Sequence, residues 1–141
     1  MVNDITNGIS IKLNSIHGDG HKIYDSNIRQ ELEPPCFFIK LIKVINTPFL
    51  GSRKKREYLF DVHYFLANDA DTEYMNAVGD TLMEGLEYIT LTNGDILRGK
   101  DMSYEVIDGV LHFNITYQVV LINMEKDDPM DQYGLEVGIK E

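Results

Sequence analysis

The chain has 141 residues, with 23 Asp or Glu against 13 Lys or Arg and a formal charge of −10. That length suits one domain with its own core, because a chain of about 150 residues buries roughly 68–70% of its unfolded surface. The acidic balance repels phosphate backbones and argues against sequence-independent nucleic-acid binding, while the single cysteine, Cys36, rules out an intramolecular disulfide and a cysteine-based zinc site.

The first segment, Met1–Ile16, is neither basic nor continuously apolar, so it does not read as a signal peptide. No apolar run approaches the ~18 residues of a membrane span, and the expected compartment is the cytoplasm. Residues 4–16 predict a helix, with Ile5, Ile9, Leu13 and Ile16 in one stripe and Asp4 placed as an N-cap. Gly8 weakens this helix by ~1 kcal/mol, and Gly18 should end it.

Ile23–Ile28 predicts a short strand. After Pro34 and Pro35, Cys36–Ile45 is β-branched and aromatic with apolar residues on both sides, the pattern of a strand covered on both faces. Tyr58–Leu66 is its expected hairpin partner. Tyr58, Phe60, Val62, Tyr64 and Leu66 share one face, and Leu59, Asp61, His63 and Phe65 the other. Between them, Thr47–Arg56 reads as a long, basic hairpin tip.

Residues 71–88 predict a second helix on Tyr74, Val78, Leu82 and Leu86, with Met75 and Met83 alongside and Asp71 or Thr72 as cap. Asn93-Gly94 signals a turn, and Met102–Ile107, Asp108-Gly109 and Val110–Ile122 predict a hairpin. In its last strand Leu111, Phe113, Ile115, Tyr117, Val119 and Leu121 face one way, and His112, Asn114, Thr116 and Gln118 the other. The expected architecture is an α+β layer fold: a mixed, mostly antiparallel sheet with two helices packed on one face and extended hairpin loops. The folded domain should span residues 1–124. Residues 125–141, with Asp127 and Asp128, should form an acidic C-terminal arm on the surface.

Chemistry-bearing motifs are absent. His17, Asp19 and His21 offer metal-ligand types on one short loop, but glycines flank Asp19 and nothing nearby supplies a fourth ligand; the plainer reading is a helix-ending turn. Asp61, His63 and His112 share a predicted sheet face, and a His–carboxylate pair is the minimum of a general base. No nucleophile or phosphate loop accompanies them, so the plainer reading is a polar face that meets solvent or a neighbouring subunit. Arg53, Lys54, Lys55 and Arg56 are the sole positive cluster. They suit docking to an acidic partner surface, contact with nucleic-acid phosphates, or protection of a strand edge. The sequence reading assigns no catalytic residue, metal or cofactor. It names Arg53, Lys54, Lys55, Arg56, His63, His112, Asp127 and Asp128 as candidate interface residues.

Six segments carry a resemblance in register: Lys22–Ile28, Glu33–Ile39, Tyr58–Phe65, Leu86–Ile89, Leu97–Gly99 and Tyr104–Phe113. Together they resemble the phage tail terminator family of Gram-positive phages, prophages and phage-tail-like particles, from the first helix to about Ile122. The resemblance implies a structural virion protein at the neck-proximal end of the tail, not an enzyme. It implies a ring, usually hexameric, that caps the tail tube, touches the sheath where the tail is contractile, and joins the head–tail connector. DNA would only pass through the lumen, whose walls benefit from negative charge. The alternatives are another head–tail connector or tube-like subunit of the same particle, or a small metal-dependent enzyme.

Overall fold

The computed structural model describes residues 1–18, 20–25, 32–48, 50–66 and 71–122. The first apolar stripe folds as helix α1, Val2–His17. Ile5, Ile9 and Leu13 are fully buried along it. The helix begins earlier than predicted because Met1 and Val2 also pack against the core. Asp4 therefore lies in the first turn and Met1 holds the N-cap, with no side-chain cap bond. A carboxylate in that turn still complements the helix dipole. α1 stops at Gly18, whose φ is 77° and whose N–H donates to the Asn14 carbonyl at 2.8 Å.

Six strands follow: β1 (Lys22–Asp25), β2 (Cys36–Pro48), β3 (Arg53–Phe65), β4 (Tyr88–Thr90), β5 (Ile96–Ile107) and β6 (Val110–Ile122). Their order across the sheet is β1-β2-β3-β6-β5-β4. β1 runs parallel to β2, and every other pairing is antiparallel. The fold is α+β on a mixed, mostly antiparallel sheet, as the patterning predicts. The expected continuation of β1 to Ile28 falls outside the described residues.

Three expectations about the strands need correction. β2 is not covered on both sides: Cys36, Phe37 and Ile39 are buried, but Ile42 and Val44 are exposed. Among the described residues β1 pairs with β2 only as far as Ile39, and a register shift between Leu41 and Lys43 separates the buried half from the exposed one. Second, Thr47–Arg56 is not a long tip, because β2 and β3 continue through most of it. The backbone of residues 54–56 pairs with β2 on one side and β6 on the other. That pairing satisfies main-chain groups, while long basic stems lie along the sheet with their charges in water. Third, the strand predicted from Met102 begins at Ile96, continuing across an irregularity between Lys100 and Ser103. Asp108-Gly109 joins β5 to β6 with φ of 52° and 77°, the backbone that a two-residue I′ hairpin requires.

Helix α2 spans Thr72–Gly85, shorter than predicted. The Asp71 carboxylate caps it by accepting from the Tyr74 N–H at 3.1 Å. Val78, Leu82 and Leu86 of the predicted stripe are buried, with Met75 beside them, and only Tyr74 of that stripe is exposed. Buried residues of both helices join one cluster with Tyr58, Phe60, Val62 and Tyr64 of β3, which stand in register with Tyr117, Ile115, Phe113 and Leu111 of β6. Gly8 is where α1 presses on β4. A Cβ there would lie 3.3 Å from Ile89, Leu91 and the Thr90 carbonyl, so the bare backbone sets the approach. The buried Tyr117 hydroxyl donates to the Leu86 carbonyl at 2.6 Å and ties the end of α2 to the sheet.

Candidate functional site

Because strand side chains alternate, the residues of β3 and β6 that avoid the core share the opposite face of the sheet. At its centre stand Asp61, His63 and His112. His63 and His112 are directly paired across β3 and β6, with ring centroids 4.4 Å apart at 68°. His63 Nε2 lies 3.1 Å from Asp61 Oδ2. Both side chains are largely covered, at 17% and 18% exposure. Asp61 Oδ1 is inaccessible and accepts no hydrogen bond. Phe38 and Phe65 flank the His63 ring at 6.1 and 6.3 Å between centroids. The sequence reading placed these three polar residues on one face, and the structure brings them into contact.

Further along the same face, Lys100 Nζ donates to Glu57 Oε2 at 2.6 Å and to Gln118 Oε1 at 2.8 Å. This links β5, β3 and β6. The hydrogen bond from Lys100 holds the Glu57 carboxyl below the usual range, against the opposing effect of desolvation. Beside it, a cleft is lined by Glu87, Leu97, Arg98, Lys100, Met102 and Gln118. Its cations are already engaged, since Arg98 pairs with Glu87 at 3.0 Å. It therefore offers no free charge to an anionic ligand.

The basic run opens β3. Arg53 and Lys54 are exposed, whereas Lys55 and Arg56 are half-buried. Arg56 Nε donates to Asn46 Oδ1 at 3.2 Å. Asp127 and Asp128 lie outside the described residues. Sequence reasoning missed the outer edge of β2: beyond Ile39 it has no strand partner among the described residues, and Ile42 is 47% exposed there. The signal was Lys40 and Lys43 within the apolar run, charges typical of an edge strand.

His17 and His21 meet beneath α1, with centroids 5.4 Å apart, both against the Phe37 ring. His21 Nε2 lies 3.3 Å from the Tyr64 hydroxyl. Asp19 is outside the described residues. Burial, and then the charge of His21, lower the His17 pKa from its ordinary 6.5. The folded state therefore binds fewer protons than the unfolded chain once the pH drops below 6.5, and stability falls as acid is added. Urea melts from pH 7.5 to 5 should show this loss, and His17→Gln should flatten it. An unchanged slope in the variant would remove His17 as the cause.

Among the described residues, the side chains that contact His63 are Asp61, His112, Phe38 and Phe65. The family model for the phage tail terminator protein matches residues 4–130. The chain belongs to this phage tail terminator family. No curated protein matches it. Terminator proteins are structural and not usually enzymatic, so membership assigns a tail-completion role and contacts with other tail or head–tail proteins. The match takes in all six strands, helix α2 and all of α1 but its first two residues. Among the described residues no helix is long and apolar enough to cross a membrane.

Proposed function

We propose that the protein ends tail growth by capping the tail tube as a ring, hexameric in its closed form, at the neck-proximal end of the virion tail. In this reading the ring joins the head–tail connector on its far side, meets the sheath where the tail is contractile, and leaves a lumen through which DNA passes. The observation that carries the reading is the terminator family match over residues 4–130. Two features of the subunit support it. A cyclic ring needs a heterologous interface, two different patches that close by rotation. The outer edge of β2, unpaired beyond Ile39 among the described residues, and the open sheet face around His63 and His112 are two different patches of the subunit. The basic run Arg53–Arg56 adds a positive contact in a chain of charge −10. Residues 1–124 form the ring domain in this reading, with 125–141 as an appended acidic arm.

Electron microscopy of particles from a strain lacking the gene tests the proposal. Overlong or headless tails are expected. Tails of normal length joined to heads would overturn the capping role.

A further inference from the structure

The Asp61–His63–His112 cluster has a use that a contact face does not require. We infer that these three side chains form a binding site for one divalent late-transition-metal ion of the zinc class. The ligand atoms of all three lie within 4.8 Å of one another. Around a tetrahedral zinc ion with bonds of about 2.0–2.1 Å, neighbouring ligand atoms stand roughly 3.3 Å apart. Side-chain rotations of about an ångström therefore close the set. The frame is rigid. Asp61 and His63 are two residues apart on one face of β3, and His112 is opposite His63 on β6. Those two strands form the middle of the six-stranded sheet.

The chemistry selects the ion. Two imidazoles and one carboxylate suit zinc, nickel, cobalt or iron, whereas magnesium and calcium prefer all-oxygen sets. The inaccessible Asp61 Oδ1, which has no hydrogen-bond partner, leaves carboxylate capacity that a cation would satisfy. Lys40 is in register with Asp61 yet is exposed and makes no ion pair with it, so among the described residues no Lys or Arg competes. Phe38 walls the site on the β2 side and Phe65 walls it further along β3. Glu105, in register with His112, places a second carboxylate beside it. Three protein ligands leave a fourth position open to water or to a group from a molecule packed on this face.

Full-length, untagged protein titrated with zinc chloride in a calorimeter tests the inference. One ion per chain should bind, with proton release in mildly acidic buffer, and the thermal midpoint should rise with free zinc. Asp61→Asn and His112→Gln should each weaken binding by more than the roughly 10–100-fold that loss of an outer-shell partner costs. His21→Gln should leave it unchanged, which separates this site from the His17–His21 pair. Cobalt in place of zinc gives a readout on the unmodified protein: intense visible bands of a low-symmetry, nitrogen-ligated ion that zinc then displaces. Absence of saturable binding, binding that survives both ligand variants, or only the weak spectrum of hydrated cobalt would overturn the inference. The result is independent of tail capping, because a chain that binds zinc and does not limit tail length, or the reverse, is distinguishable.

Discussion

Phe60→Ala should cost about 3–5 kcal/mol of folding stability, the usual toll for emptying a fully buried phenyl site. Phe60 sits mid-way along β3, 1% exposed. It stands between Leu41 of β2 and Ile115 of β6, with the Tyr117 ring edge-on at 6.5 Å between centroids. Removing the ring leaves a cavity on the core face of three strands that are hydrogen-bonded into one sheet and relax poorly. Total stabilities of such domains are about 5–15 kcal/mol, so the variant loses roughly a fifth or more of its margin. A melting-point drop of roughly 10–20 °C follows from the entropy of unfolding at this size. Leu59→Ala is the matched comparison: Leu59 is the adjacent residue on the open face and only half-buried. Its cost should stay below about 2 kcal/mol, because a partly exposed side chain forfeits less transfer energy and leaves no closed cavity. Urea denaturation followed by far-ultraviolet circular dichroism measures both. Equal losses would mean that the two faces of β3 are misassigned.

That comparison also marks what was legible in the sequence. Period-two alternation placed Tyr58, Phe60, Val62 and Tyr64 on one face and Asp61 and His63 on the other, and the buried cluster agrees. Asp71 and Asp108-Gly109 were legible for a different reason: a cap and a tight turn are decided within a few residues of chain. What local pattern could not give was pairing. Thr47–Arg56 carries four consecutive charges, which alone argue for a loop. It is a strand because β6 extends to Ile122 and offers it a backbone partner. The same holds for the far half of β2. Its apolar residues suggested cover on both sides, but cover depends on what packs over the strand, and Ile42 and Val44 lie exposed beyond Ile39, the last described partner of β1. The open-face cluster was half legible. Asp61 and His63 are neighbours in any strand, but the contact with His112 depends on the register of β3 against β6.

The structure also changes which charges should test the interface. Reversing Lys55 or Arg56 would disturb folding as well as assembly, since both are half-buried and Arg56 holds Asn46. Arg53 and Lys54 are exposed at the start of β3, where alternation sends them to opposite faces of the sheet. Arg53→Glu with Lys54→Glu should therefore change stability by no more than about 0.5 kcal/mol, as for surface substitutions generally. If the basic run docks on an acidic surface, assembly should weaken at least tenfold, because each reversal turns an attraction into a like-charge contact worth on the order of several kcal/mol. Sedimentation velocity of the subunit, alone and with tail tubes, reads the assembly, while a urea melt reads the fold. Salt supplies a second arm. Assembly of the unmodified protein should weaken between about 0.05 and 0.5 M salt as the Debye length shrinks, and the double variant should lose most of that dependence. A folded variant that assembles with unchanged affinity and unchanged salt response would remove the basic run from the interface, leaving the β2 edge and the open sheet face to close the ring.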